Sequence, residues 1–193
     1  MIKSISFSQE EILQSIVNLH TGPIQADVTF GFGRFYKNGV ARPPLCFDLG
    51  PRVPGVIAAD ARHLPLKDCS VGSVMFDPPF MLYTGPGSKL KDRFSSVIGS
   101  MENLWKFYEE AMGEIYRVLR PKGWLILKCQ DGVSSMVNHF THAEVYAMAN
   151  RLNFTPKDLF ILLAKSRMPD PQGRAQKHAR KFHSYFWVFR KGR

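Results

Sequence analysis

Short apolar runs alternate with helix-like and turn-rich segments along most of this chain. Apolar positions at helical spacing predict helices from the Ser8 cap to about His20, and over residues 101–119 and 142–152. The remaining apolar runs predict strands over residues 24–30, 45–49, 55–59, 71–76, 124–129, 159–164 and 184–190. Together they predict an α/β, Rossmann-like fold with roughly seven strands in a mostly parallel sheet and helices on both faces.

The 193 residues are expected to form a single domain, because no linker or internal repeat divides them. Two regions stand apart in composition. Residues 81–100 form a glycine-containing basic stretch, which we interpret as an inserted substrate loop. Residues 165–193 form a basic C-terminal region.

The net charge of +10 is concentrated near the end of the chain. Residues 165–193 contain nine lysines and arginines against one acid, Asp170, which gives +8 and leaves +2 for the rest. This distribution favours a polyanionic partner such as nucleic acid, with a solubilising tail as the alternative. No apolar run is long enough for a transmembrane helix and the first residues do not resemble a signal peptide, so neither a membrane partner nor secretion is expected.

The three cysteines match no disulfide or zinc pattern. Cys46, Cys69 and Cys129 are widely spaced, and we interpret them as reduced, largely buried thiols of a cytoplasmic protein. No metal site is predicted.

The most specific motif is Asp77-Pro78-Pro79-Phe80, at the end of an apolar strand. Such strand ends are where α/β sheets bind ligands, and two prolines stiffen the backbone there. Asp77 and the Pro78 carbonyl offer two acceptors for one NH₂ group, while Phe80 offers a ring for stacking on a base. Accepting both hydrogens would localise the nitrogen lone pair, so that alignment and electrostatics suffice for methyl transfer. The alternative is a proline turn that merely exposes Asp77.

A second set of residues predicts a cofactor site. The segment from Asp27 to Phe35 contains a glycine turn whose backbone a ligand can approach closely. One acid lies at the end of the second predicted strand, where it is suited to ribose hydroxyls, and another follows the third, where it is suited to an adenine amino group. Each acid could instead cap a turn. The candidate cofactor residues are Asp27, Thr29, Gly31, Gly33, Asp48, Asp60 and Ala61.

These motifs resemble, over nearly the whole chain, the class I S-adenosylmethionine-dependent methyltransferases, specifically the DNA amino-methyltransferases with an Asp-Pro-Pro-aromatic motif. Residues 117–123 also resemble the segment that leads into the family's fifth strand. The resemblance implies S-adenosylmethionine as cofactor and adenine N6 in DNA as the methylated amine, with Asp77, Pro78, Pro79 and Phe80 catalytic. It further implies that the target base is flipped out to stack on Phe80.

The chain departs from that family because it has no separate region for target recognition. We therefore expect the inserted loop and the basic region, or a second subunit or second copy, to provide it. The candidate nucleic-acid-binding residues are Lys89, Lys91, Arg93, Arg174, Lys177, Arg180 and Lys181. Two alternatives remain: an RNA methyltransferase acting on adenine N6 or guanine N2, and a catalytically silent nucleic-acid-binding subunit.

Overall fold

The computed structural model describes residues 1–80, 100–134, 136–166 and 177–192. Within these residues, eight strands form one sheet in the order β1-β9-β10-β6-β5-β2-β3-β4, and β7 and β8 pair separately as a hairpin. The strands are β1 (Ile5–Ser6), β2 (Ala26–Asp27), β3 (Leu45–Asp48), β4 (Ile57–Ala58), β5 (Val71–Phe76), β6 (Leu119–Cys129), β7 (Gly132–Ser134), β8 (Val137–His139), β9 (Phe154–Leu163) and β10 (His183–Lys191).

The sheet is parallel around its centre and antiparallel at one strand. Strands β4, β3, β2, β5 and β6 run parallel to one another, whereas β10 is antiparallel to both β6 and β9. Strand β2 pairs with β3 on one side and β5 on the other, so the chain order reverses between β2 and β5. The carboxyl ends of strands at such a reversal leave a crevice in which α/β sheets bind ligands.

Three helices in the described residues flank the sheet: α1 (Gln9–Ile16), α2 (Met101–Val118) and α3 (Thr141–Arg151). Helix α1 begins where the Ser8 side chain accepts a hydrogen bond from the Glu11 amide, and α2 begins in the same way at Ser100. A π-helical turn, Val17–Thr21, extends α1. The predicted helices are therefore confirmed to within a few residues.

The helices pack on both faces of the sheet, as predicted. Alternate residues of β5 point to opposite faces, so Val74 and Phe76 lie in a cluster with α2 and α3, whereas Met75 packs in a second cluster with α1. The strand alternation thus produces two hydrophobic layers with the sheet between them.

The observed strands differ from the predictions mainly at the strand ends. The predicted strand 24–30 keeps only Ala26–Asp27 in the ladder, because the Asp27 carboxylate accepts a hydrogen bond from the Thr29 amide and turns the chain. The strand predicted over residues 55–59 is likewise shorter in the structure, where it comprises Ile57–Ala58. Strand β6 begins at Leu119, five residues before the predicted strand 124–129. Pro121, Lys122 and Gly123, which separate the predicted helix from the predicted strand, therefore belong to the strand.

The periodicity did not reveal three short strands. Strand β1 and the two strands of the β7–β8 hairpin have two or three residues each, too few to show a pattern. Residues 28–44, which include the glycine turn after β2, form turns and loops throughout. The prediction that the cysteines are largely buried fails at Cys69, which is exposed.

In the part of the chain that the structure describes, no helix is long and apolar enough to cross a membrane.

Candidate active site

The site lies at the carboxyl ends of the parallel strands, beside the reversal between β2 and β5. A cavity of about 240 Å³ opens there. Its wall combines apolar side chains with three acids and three arginines. The lining residues are Val28, Thr29, Phe30, Gly31, Phe32, Arg34, Phe35, Asp48, Leu49, Arg52, Asp60, Ala61, Arg62, Asp77, Pro79 and Phe107.

The Asp-Pro-Pro-Phe turn is attached to two neighbouring elements. The Asp77 amide donates a hydrogen bond to Thr29 Oγ1 at 2.7 Å, which ties the turn to the segment after β2. The hydroxyl of Tyr108, buried on α2, donates to the Pro79 carbonyl at 2.9 Å. With Pro78 also buried, these contacts fix the backbone on both sides of the Asp77 carboxylate.

The Asp77 carboxylate holds an acceptor that no described residue uses. Its Oδ1 atom is buried without a hydrogen-bond partner, although the side chain as a whole is 22% exposed. Burial raises the pKa of Asp77, and the positive charge of Lys128 opposes that rise. A buried acceptor without a partner is costly unless a ligand donor completes it.

Lys128 lies close to Asp77 without bonding to it. Its Nζ is 3.8 Å from Asp77 Oδ1, beyond hydrogen-bond distance, and donates instead to Gln9 Oε1 at 3.0 Å. The ammonium also lies 4.9 Å from the ring centroid of Phe35 and 5.6 Å from that of Phe186. Lys128 therefore supplies charge to Asp77 while leaving Oδ1 free to accept a ligand hydrogen.

Asp27 lies beneath the glycine turn rather than in the cavity wall. It is fully buried, accepts from the Thr29 amide at 2.8 Å through Oδ1, and accepts from the Tyr36 hydroxyl at 2.6 Å through Oδ2. Burial raises the pKa of Asp27 to about 7, more than these hydrogen bonds lower it. The geometry gives Asp27 the role of shaping the loop that lines the cavity.

The raised pKa of Asp27 predicts a pH dependence of stability. The folded protein retains this proton at pH values where the unfolded chain, with a pKa near 3.8, has lost it. The contribution of Asp27 to stability is therefore present at low pH and is lost as the pH rises towards 7.

Replacing Asp27 with asparagine should flatten this dependence. We expect the slope of the free energy of unfolding between pH 5 and pH 7 to change by up to about 1.4 kcal/mol per pH unit, measured by urea unfolding. The exposed Glu102→Gln variant serves as control. Parallel pH profiles for Asp27→Asn and the unsubstituted protein would contradict the buried, protonated carboxyl.

The glycine turn contains two backbone positions with positive φ, Gly31 in the cavity wall and Gly33 behind it. Gly31 has φ +56° and Gly33 has φ +65°, and a Cβ on Gly33 would lie 2.6 Å from the Phe30 ring. The Gly31 amide donates to Asp48 Oδ2 at 2.8 Å, and the Gly50 amide donates to Asp48 Oδ1 at 2.9 Å. Each carboxylate oxygen has a second lone pair, so Asp48 can still accept hydrogens from a ligand.

Asp60 lines the cavity but is already engaged. The Arg62 guanidinium binds its carboxylate through Nε at 3.0 and 3.1 Å and through a terminal nitrogen at 2.7 Å, and the Arg62 amide donates to it at 2.9 Å. These hydrogen bonds lower the pKa of Asp60. A ligand amino group would have to share this carboxylate with Arg62.

The structure gathers most of the candidate site residues around one cavity. Thr29, Gly31, Asp48, Asp60, Ala61, Asp77 and Pro79 line it, whereas Asp27, Gly33 and Pro78 support the lining segments from behind. Phe80 is half-buried and is the last residue described before the segment 81–99.

The candidate nucleic-acid-binding residues fall into two groups. Lys177, Arg180 and Lys181 lie just before β10. Lys89, Lys91, Arg93 and Arg174 lie outside the described residues, as does nearly all of the inserted loop 81–100.

The polar residues of the site that were not identified from the sequence include Tyr36, Arg62 and Lys128. Lys128 lies in a predicted apolar strand, and only the pairing of that strand with β5 places it near Asp77. A single lysine in an apolar strand could have indicated a functional residue, since a buried cation needs a partner. Arg62 and Tyr36 carried no distinguishing pattern.

Neither a protein-family model nor a curated protein sequence matches the chain. Solved structures do match. A protein from Thermus thermophilus, assigned as a DNA modification methylase, aligns with a TM-score of 0.50 at 19% identity over 69% of this chain and 52% of its own. The cytosine-N4-specific PvuII DNA methyltransferase aligns with a TM-score of 0.51 at 16% identity, over 89% of this chain and 53% of its own.

The [4+2]-cyclase SpnF aligns with a TM-score of 0.56 at 14% identity, over 95% of this chain and 81% of its own. The fold is therefore that of the class I methyltransferases, as predicted. Because a cyclase shares it, the fold alone does not fix the reaction. The chain spans about half the length of the two DNA methyltransferases, 52% and 53%.

Proposed function

We propose that this chain is an S-adenosylmethionine-dependent methyltransferase that modifies an exocyclic amine of a nucleic-acid base, adenine N6 in DNA. The observation that carries the proposal is the unpartnered Asp77 Oδ1, buried in a rigid turn on the wall of the cavity. This atom is an acceptor prepared for a donor that the described residues do not supply. An amine NH₂ group is such a donor.

The cavity residues fit S-adenosylmethionine by the chemistry of their donors and acceptors. Asp48 retains acceptor capacity for ribose hydroxyls, and Leu49, Ala61 and Phe107 give apolar surface for an adenine ring. Asp60 offers an acceptor for the adenine amino group if Arg62 shares it. When bound, S-adenosylmethionine supplies a methyl group activated by its sulfonium.

The chain's own residues then orient and polarise the amine. Asp77 Oδ1 would accept one amine hydrogen and the Pro78 carbonyl the other, while the Tyr108 bond to the Pro79 carbonyl holds the turn in place. This pairing favours a tetrahedral nitrogen with its lone pair directed at the methyl carbon. The sulfonium would supply the methyl group and keep the electron pair of the S–C bond, and the extra proton would leave the nitrogen towards Asp77 or solvent.

The choice of adenine N6 rests on the leading aspartate of the motif, by resemblance to the amino-methyltransferases. The likeness to a cytosine-N4 enzyme keeps that base as a competing substrate. The choice of nucleic acid rests on the net charge of +10, most of which lies in residues 165–193. Target recognition by a second subunit or a second copy of the chain belongs to the same proposal.

Calorimetry with S-adenosylmethionine tests the cofactor part of the proposal. We expect binding by the unsubstituted protein and a loss of about tenfold or more in Asp48→Ala, because a hydrogen bond to a charged group is removed. Glu102→Ala, an exposed acid on α2, is the matched control. No measurable binding by the unsubstituted protein would favour the silent-subunit alternative, and unchanged binding by Asp48→Ala would remove Asp48 from the site.

A further inference from the structure

We infer that the β7–β8 hairpin and the segment before β10 form a surface that binds the unpaired nucleotides next to the target base. This inference rests on the proposed function and names where the polymer lies. The hairpin surface, as we use the term, consists of Val133, Met136, Val137, Phe140, Lys181 and Phe182.

The hairpin exposes apolar side chains where a solvated hairpin would carry polar ones. Met136 is 60% exposed, Val137 56% and Phe140 55%, and they lie within five consecutive positions. Phe182, 42% exposed, follows Lys181 in the chain, and Val133, 47% exposed, lies on the paired strand β7. Several exposed apolar side chains so close to one another in the chain indicate a contact surface rather than chance exposure.

Basic residues are fixed directly beside these apolar groups. His178 binds the Met136 carbonyl through Nε2 at 2.7 Å and Asn138 Nδ2 through Nδ1 at 3.1 Å, which attaches the segment 177–182 to the hairpin. The Lys181 ammonium lies 5.9 Å from the centroid of the Phe140 ring. The segment 177–182 carries Lys177, Arg180 and Lys181 and no acid.

The hairpin surface is joined to the catalytic turn through one turn of α2. The Trp105 ring contacts the His139 ring at the end of β8, with centroids 5.8 Å apart. Tyr108, three residues further along α2, donates to the Pro79 carbonyl. Residues three apart on a helix lie on the same face, so the hairpin and the catalytic turn are attached to neighbouring positions of one rigid element.

The base of the hairpin is itself held in place. Asp131, only 5% exposed, accepts from His142 Nδ1 at 2.8 and 2.9 Å and from the Tyr185 hydroxyl at 3.3 Å. The rings of His142 and Tyr185 stack with centroids 4.5 Å apart. This network fixes the direction in which the hairpin leaves β6.

Exposed rings beside cations match single-stranded nucleic acid better than they match duplex or protein. Bases stack on aromatic rings whatever their sequence, and the adjacent ammonium groups meet the phosphates. A base drawn towards Asp77 leaves its neighbours partly unstacked, which frees their faces for such contacts. The positive charge of residues 177–182 excludes a basic partner. An acidic protein is the competing partner, and the experiment must distinguish it from nucleic acid.

The experiment measures fluorescence anisotropy with a labelled single-stranded oligothymidylate, which contains no adenine to enter the proposed catalytic pocket. We expect the Kd to rise roughly fivefold or more in Phe140→Ala and in Phe182→Ala, because each loses a stacking platform. Phe140→Trp should restore binding. The matched control is Phe7→Ala, an exposed ring (59%) beside edge strand β1, and it should bind as the unsubstituted protein does.

The cationic part is tested by the salt dependence of the same binding. Lys177→Ala and Lys181→Ala should each reduce the slope of log K against log salt by about 0.7, and the control Lys3→Ala should not. Thermal unfolding of each variant by circular dichroism separates a lost surface from a lost fold.

Two results would overturn the inference: oligothymidylate that does not bind the unsubstituted protein, or ring variants that bind it as tightly as Phe7→Ala does. Binding that is confined to duplex of the same length would also do so. Methyl transfer into an adenine-containing DNA, measured in parallel with the same variants, distinguishes the two levels. Oligonucleotide binding that depends on the rings without any methyl transfer would reject the proposed function and keep the surface, whereas transfer that is insensitive to the rings would do the reverse.

Discussion

The Asp77→Ala variant is expected to lose methyl transfer by about 100-fold or more while binding S-adenosylmethionine almost as tightly as the unsubstituted protein. The substitution removes the carboxylate that accepts the amine hydrogen, so the loss should appear in kcat. The turn itself should persist, because the bond to Thr29 Oγ1 comes from the backbone amide of residue 77 and the Pro79 carbonyl remains bound by Tyr108.

Single-turnover transfer and calorimetry on the same preparations would check this. Asp77→Asn keeps one acceptor oxygen without the charge and should fall between the two. Glu102→Ala, which replaces an exposed acid on α2, is the control for surface charge. An equal loss of cofactor affinity and rate in Asp77→Ala would mean that the side chain is structural.

The second large effect is expected from Lys128→Met, as a shift in the pH profile of kcat. Asp77 accepts an amine hydrogen best as a carboxylate, so activity should fall at low pH as it becomes protonated. Lys128 lowers the pKa of Asp77, so removing its charge should move this acid limb to higher pH. Cofactor affinity should change little.

The other titratable groups of described residues that sense Asp77 are Asp27, Tyr36, Tyr108 and Cys129. Burial raises the pKa of all four, so at neutral pH the two phenols and the thiol stay uncharged and place no further negative charge beside Asp77. Lys128, whose Nζ lies 3.8 Å from Asp77 Oδ1, is the cation that lowers the pKa of Asp77.

Two variants separate the charge of Lys128 from its packing. Lys128→Arg keeps the charge and should restore the profile in part. Gln9→Ala removes the bond that anchors Nζ but leaves the charge, so its acid limb should stay in place. An acid limb that moves equally in Gln9→Ala and Lys128→Met would assign Lys128 a packing role.

The secondary structure was predictable where the local residue pattern alone determines the helix or the strand. The Ser8 cap and the apolar spacing of Ile12, Leu13 and Ile16 predicted α1, and the largely apolar segment 71–76 predicted β5 with its observed ends. Prediction failed where a side chain acted on the backbone, as at Asp27, whose bond to the Thr29 amide ends β2 early. The beginning of β6 could not be predicted either. Pro121 and Gly123 indicate a break in the regular structure, whereas the strand continues through both residues.

The candidate site was predictable where residues that are close together in the sequence define it. Asp77, Asp48 and Asp60 each lie at or just beyond the end of a strand, and parallel strands bring such ends together. The electrostatic setting of these acids was not predictable, because it depends on residues distant in sequence. Lys128 reaches Asp77 across 51 positions only through the pairing of β5 with β6, and Tyr108 reaches Pro79 from a helix beyond residues 81–99.

The most direct test of the account is the incorporation of labelled methyl from S-adenosylmethionine into unmethylated DNA and total RNA, followed by nucleoside mass spectrometry. We predict labelled N6-methyladenine in DNA, lost in Asp77→Ala. Label confined to RNA would keep the chemistry of Asp77 and replace the polymer. An absence of label from every base of both polymers, with the cofactor bound, would contradict the central claim.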